Sequence, residues 1–420
     1  MKSFSGDPSK HIQRTNTDRC LEWYGKGIFG FLLVAIALLG TGRLEFFSVS
    51  AWSVSRTTFL SWLLWKLLSA IRYHRWPVNS LSHPIPFSLL LFFIAVTISL
   101  LPDFHASGDF RYFCFGCAHA IMVMDLVEDQ RRGRWVYLCL ALLPCIVTFR
   151  DVFNDPSILN LDLTRRLGYP LDHPNTAGYL FSMSIPLALA LVVTEKGALR
   201  GLAVLSCVAQ LVGLVLTYSR GAWLGWAASM LFLAVTWKRW KEASGILVAL
   251  VLVFAFAAPL RERLLTLLKP QADIAMNERM EVMSGAIKLG AEHPILGIGY
   301  GRGRLKEALR QSYRGTANEN SPIWHAHNVY VELFAETGVL GLGAFLWLLG
   351  CTGYLILRRA YSERHASRMI LLGLAGSWIA AAITGFGDVP FYHHETRIFF
   401  FTLLGLAFVA DRTGNISGQT

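Results

Sequence analysis

The sequence predicts an all-α, polytopic integral membrane protein of about twelve transmembrane helices, with one large outer loop that itself contains helices. Three observations carry this. Of 420 residues, 54% are hydrophobic and only 16% are charged, against roughly 25% charged in a soluble domain. Apolar runs of about 20 residues, enough to cross a bilayer, recur along the whole chain. A single long polar stretch, 261–327, interrupts otherwise short connections. The composition excludes a disordered chain, a secreted disulfide scaffold and an ordinary soluble enzyme. The net charge of +11 would suit nucleic acid, but basic loops on a membrane protein mostly set its orientation. No nucleic-acid partner is expected.

Residues 1–27 are polar and carry Lys2, Lys10, Arg14, Arg19 and Lys26. That is too long and polar for the head of a signal peptide, so a retained cytoplasmic tail is expected. Spans are expected near 28–48, 51–71, 86–102, 109–127, 135–154 and 174–194. Three more fall near 199–218, 221–237 and 243–260, so helices one to nine fill 28–260. The outer loop occupies 261–327, helices ten to twelve fill 328–411 (near 328–357, 369–386 and 396–411), and 412–420 is a second inner tail. With the N-terminus inside, the inner connections hold twenty Lys and Arg and the short outer ones seven. This agrees with the positive-inside rule and puts both termini in the cytoplasm. The long loop holds ten more, and long translocated loops are largely exempt from that rule.

The seven cysteines imply neither a disulfide framework nor a metal site. Cys114 and Cys117 are spaced CxxC, but inside an apolar run and without a second pair.

Four outer segments carry polar groups that topology alone does not require. The first, NLDLTRRLGYPLDHPN over 160–175, contains Arg165, Arg166, Asp172 and His173. The second is the turn Tyr218-Ser219-Arg220-Gly221 between two spans. Arg220 reads either as a snorkelling interfacial residue or as a clamp for a lipid-linked phosphate, which guanidinium binds at two points. The third, over 277–303, contains Arg279 beside an apolar stripe of Val282, Met283 and Ala286 at helical spacing. A helix lying on the membrane surface explains that stripe; a cationic edge facing a ligand is the functional alternative. Its end, Gly297 to Gly303 in G-I-G-Y-G-R-G, reads as a tight turn or as a wall facing a sugar.

The fourth segment, HAHNVYVELFAETGVLGLG over 325–343, leads back into the membrane. His327 is the strongest catalytic candidate, with His325 and Asn328 in support. An ionisable group at the membrane edge of a polar cavity is a functional candidate by default, and imidazole can accept a proton near neutral pH. A hydrogen-bonded interfacial histidine is the bland alternative. Arginines can hold a diphosphate and neutralise its developing charge, while one histidine deprotonates an attacking hydroxyl. The chain has no HExxH, no paired carboxylates in the outer loops and no Walker A lysine. Neither a metal nor a nucleotide cofactor is expected.

At these residues the chain resembles the O-antigen ligase and polymerase superfamily of bacterial inner-membrane glycosyltransferases. The likeness rests on Ser219-Arg220-Gly221 between two spans, HPILGIGYG from His293, and His327-Asn328 followed by ETGVLGL from Glu336. HPNTAGYL from His173 is also similar to the family's Asn-rich approach to a span. The resemblance implies metal-independent, inverting glycosyl transfer on the periplasmic face. The donor would be a glycan on undecaprenyl diphosphate and the acceptor a sugar hydroxyl of lipid A–core. By position, His327 would be the base, Arg220 and Arg279 would bind the diphosphate, and Arg165 or Arg166 would assist. A single long outer loop favours a ligase over a polymerase. A polymerase, a protein O-oligosaccharyltransferase and a lipid-linked sugar transporter are the alternatives. A transporter should carry mid-membrane charges on several helices, and the chain offers chiefly Arg56 and Lys66.

Overall fold

In hydrocarbon every backbone N–H and C=O must bond within its own segment, so the apolar runs become helices. The computed structural model describes residues 16–37, 43–44, 49–73, 82–101, 108–127, 129–160, 165–171, 173–238, 274–313, 325–390 and 393–413. The helices are α1 (Asn16–Ala37), α2 (Ala51–Tyr73), α3 (Pro84–Ile98), α4 (Gly108–Leu126), α5 (Gln130–Leu142) and α6 (Cys145–Asn154). Next come α7 (Pro174–Thr194), α8 (Gly197–Leu216), α9 (Arg220–Trp237), α10 (Ile274–Glu292) and α11 (Arg302–Tyr313). The chain closes with α12 (Val329–Ser362), α13 (His365–Thr384) and α14 (His394–Thr413). One antiparallel pair of two-residue strands, Arg43–Leu44 and Val49–Ser50, joins α1 to α2.

Among the described residues, five helical stretches are long and apolar enough to cross a membrane: the continuous α5–α6 run, α7, α8, α12 and α13. The expected ninth span, 243–260, lies outside the described residues, as do residues 261–273 and 314–324 of the outer loop. Three elements depart from the expected spans. Helix α1 begins at Asn16 and ends at Ala37, well before the expected 28–48. The helix is amphipathic, with a Lys26–Glu22 ion pair outside and Ile28, Leu32 and Ile36 buried. The expected 135–154 span is α5 followed by α6, parted at Pro144, which cannot donate to the helical ladder. Helix α12 runs 34 residues, and Gly338 breaks it with φ 63°.

Helices α7 and α13 form the centre. Helix α7 packs on α8, α9 and α13, α13 packs on α9 and α12, and α3 and α4 close the bundle against α12 and α14. Lys66 is not a free charge in this bundle, because it pairs with Asp125 of α4, which also accepts Trp62 Nε1–H at 2.8 Å. A second core joins α10, α11 and the start of α12 through Val282, Ala286, Leu289, Leu305, Leu309, Ala326 and Ala335. The apolar stripe beside Arg279 therefore packs on protein, which corrects the surface-helix reading; the opposite face of α10, with Met280 and Ile287, is exposed.

The segment 294–299 docks into the break of α12. Ile298 N–H donates to Ala335 O, Gly299 N–H to Glu336 O and Val339 N–H to Pro294 O, each at 2.8–2.9 Å. Gly297 (φ 67°) and Gly338 (φ 63°) lie in the left-handed region, where a Cβ is costly. A Cβ on Gly297 would overlap the backbone of Glu336 and Thr337, and one on Gly338 that of Ile295 and Leu296. Gly297 and Gly338 thus form a backbone-to-backbone joint. Gly297→Ala and Gly338→Ala should each cost roughly 2–4 kcal/mol from strain and overpacking. Thermal unfolding in detergent measures this, and a variant melting with the wild type would show the joint to be dispensable.

Candidate active site

The connections sort to two ends of the bundle. At one end His83 and Arg358 meet Asp411, and Arg134 meets Glu195. At the other end Arg165, Arg166, Arg220, His325 and His327 come from the connections before α7 and α12 and from the start of α9.

Asp388, in the turn between α13 and α14, is the hub. It is 2% exposed. Its Oδ2 accepts Asn175 Nδ2–H at 2.7 Å, and its Oδ1 accepts Val389 N–H at 2.9 Å. His325 Nε2 lies 3.4 Å and His327 Nδ1 3.7 Å from Oδ1. Burial opposes ionisation of Asp388, yet His327, His325 and the Tyr179 hydroxyl outweigh it and hold the carboxyl well below the usual carboxylate range. A carboxylate therefore stands beside the candidate base. At 3.7 Å the Asp388–His327 contact is longer than a hydrogen bond, and Nδ1 of His327 is buried without one. Nδ1 faces the carboxylate, so Nε2 is the nitrogen available to substrate.

The backbone at His327 is held in an unusual conformation, φ 53°. Three bonds impose it: Ala326 N–H to Glu332 Oε2 at 2.7 Å, His327 N–H to His325 Nδ1 at 3.2 Å, and Val329 N–H to Gly385 O at 2.8 Å. Asn328 is the N-cap of α12, its Oδ1 accepting Tyr330 and Val331 N–H. It sets the helix start and so supports His327 through the backbone.

The arginines divide. Arg165 donates Nη2–H to Asp151 at 2.7 Å and Nε–H to Asp155 at 2.8 Å. Asp151 also accepts Gly168 and Tyr169 N–H, so Arg165 belongs to a clamp that shapes its own loop. Arg166 instead donates Nη2–H to Asn175 Oδ1 and Nε–H to Thr217 O, both at 2.9 Å. A continuous path thus runs from Arg166 through Asn175 to Asp388 and the two histidines. Arg279 lies close enough for its charge to depress the His173 imidazole. Arg220 is the first residue of α9 and is 8% exposed. Gly221 meets Gly387 so closely that a Cβ on Gly387 would lie 2.9 Å from Gly221 Cα. That contact brings the start of α9 against the turn bearing Asp388.

His325, His327 and Asp388 offer donor atoms within 4.8 Å of one another, a spacing that a small cation could bridge. The tautomer speaks against it. His325 Nδ1 accepts the His327 N–H, so in the neutral ring Nε2 carries the proton and faces Asp388 as a donor. Burial drives His325 down to about 3 and His393 down to about 4, so both are neutral at physiological pH. Unfolded histidine protonates near 6.5, hence between about pH 6.5 and 4 the unfolded chain binds the extra protons. Stability should fall as pH drops through that window, by about 3 kcal/mol from His393 alone. Melting temperatures from about pH 8 to 4.5 test this; a flat profile contradicts it.

Sequence reasoning missed Asp388, His393 and the linking role of Asn175. The available signal was a lone Asp in the short outer connection Gly385-Phe386-Gly387-Asp388, followed shortly by His393 and His394. Residues 205–346 match the family model of O-antigen ligases. The matched segment, about a third of the chain, is similar to that family. Comparison with curated proteins finds no match. The family segment contains Arg220, Arg279, His325, His327 and the glycine joint, whereas Arg166, Asn175 and Asp388 join it from outside. The family match and the apolar helices support a membrane protein.

Proposed function

We propose that the protein is an O-antigen ligase that transfers a glycan from undecaprenyl diphosphate to a sugar hydroxyl of lipid A–core. The observation that carries this is the pairing of His327 with the Asp388 carboxylate, which Asn175 links to Arg166 at one end of the bundle. Arg220 and Arg279, with Arg166 rather than Arg165, hold the diphosphate and balance its charge as it leaves. His327 Nε2 takes the proton of the acceptor hydroxyl while Asp388 steadies the imidazolium that forms. The hydroxyl oxygen bonds to the anomeric carbon as the carbon–oxygen bond to phosphate breaks, and the diphosphate departs with the electron pair. A direct displacement of this kind inverts the anomeric centre.

The basic connections at the opposite end of the bundle support an inner-membrane orientation with both termini cytoplasmic and the site periplasmic. The same reading keeps twelve spans and a periplasmic loop over 261–327. The pairing of Lys66 with Asp125 weakens the transporter alternative, because it gives that charge a structural partner.

Purified protein in detergent, given lipid-linked glycan and lipid A–core, should form glycan-bearing core without nucleotide. The rate should be unchanged by a chelator, since arginines supply the positive charge. Loss of transfer on chelation with recovery on magnesium would sink the metal-independent mechanism. Lengthened lipid-linked glycan with untouched core would instead identify a polymerase.

A further inference from the structure

We propose that His173 is a further substrate-binding residue, donating its Nε2–H to the diphosphate of the lipid-linked donor beside Arg166 and Arg279. This rests on the diphosphate reading above and deepens it.

The local chain determines which nitrogen is free. His173 is the N-cap of α7, with Pro174 at the first helical position, and its Nδ1 accepts Asn175 N–H at 3.1 Å. An imidazole whose Nδ1 accepts must carry its proton on Nε2 when neutral. His173 is therefore an oriented donor, partly desolvated by its surroundings but with surface left accessible to a ligand. It lies 6.4 Å, ring to ring, from His393, with the planes inclined at 23°. Asp388, Arg166 and Arg279 lie within electrostatic reach of it. Burial is the chief cause of its lowered pKa, with the arginines adding to it against Asp388, so the ring stays neutral among cations. A neutral donor there adds a hydrogen bond to an anion without adding repulsion between Arg166 and Arg279. Its cap bond also joins it to Asn175, which already links Arg166 to Asp388. One short segment, His173 to Asn175, would then bear both on the leaving group and on the carboxylate beside the base.

The competing role is helix capping alone, and substitution separates the two. Asn and Ser are preferred N-caps, so His173→Asn and His173→Ser keep the acceptor for Asn175 N–H and remove Nε2–H. Binding of polyprenyl diphosphate to the full chain in detergent is measured for wild type, both variants and Arg279→Ala, with polyprenol lacking phosphate as the second probe. Both His173 variants should melt with the wild type, bind polyprenol equally and bind the diphosphate about tenfold to a hundredfold more weakly. If both bind the diphosphate like wild type while Arg279→Ala binds weakly, His173 only caps α7 and the proposal falls alone. An equal loss for both probes reports a damaged fold and also overturns it. Wild-type protein with no preference for diphosphate over polyprenol overturns this proposal and the diphosphate reading together.

Discussion

His327→Ala is expected to yield a folded protein that binds the lipid diphosphate and transfers glycan about 10²–10⁴-fold more slowly, the usual contribution of general-base catalysis. Folding should survive because the left-handed conformation at 327 is imposed by backbone bonds to His325, Glu332 and Gly385. None of these uses the His327 ring. The direction of the pH profile identifies the role. A base loses activity on the acid side, as protonation removes its lone pair. A histidine serving as a cation loses activity as pH rises, and His327→Arg would then remain active. Initial rates between about pH 5 and 8, run alongside His327→Arg, distinguish these outcomes. An active arginine variant would rule out the base assignment. Asp388→Asn should slow the same step without weakening donor binding, since Asn keeps the side-chain shape but loses the charge that steadies the imidazolium.

The second large effect concerns the cations. Arg220→Ala and Arg279→Ala should each weaken donor binding or transfer about tenfold to a hundredfold, from loss of a charge-assisted hydrogen bond worth roughly 1.5–3 kcal/mol. Lysine at either position should rescue only in part, because an ammonium cannot reproduce the planar two-point contact. Arg165→Ala should differ in kind. Arg165 is tied to Asp151 and Asp155, so its loss should lower stability and leave the donor affinity of the surviving folded protein intact. Wild-type affinity in both the Arg220 and Arg279 variants would mean that these residues only snorkel.

Much of the site could be read before the fold because its parts lie near chain landmarks. Arg220 stands at a span junction, and His327 one residue before a helix start. Both positions carry polar side chains where hydrocarbon begins, and that cost is visible in sequence. The separation of Arg165 from Arg166 was not visible. Adjacent arginines in a loop have the same composition, and only the placement of Asp151 on α6 and Asn175 on α7 gives them different partners. The glycines of 297–303 show the same limit. Their number signals close backbone approach, but what they approach is Glu336 and Thr337, more than thirty residues onward.

By itself the sequence determined that the protein is a bundle of apolar helices and that polar residues, His327 and several arginines among them, collect in the connections between them. These follow from burial and charge, which are properties of single segments. The tertiary structure alone decided that Asp388 stands behind His327, that Asn175 links it to Arg166, and that α10 turns its apolar stripe toward α11 and α12. Such pairings join residues as far as 213 positions apart in the chain. They depend on the packing of α7 against α13 and on the contact of Gly221 with Gly387, which no local pattern encodes.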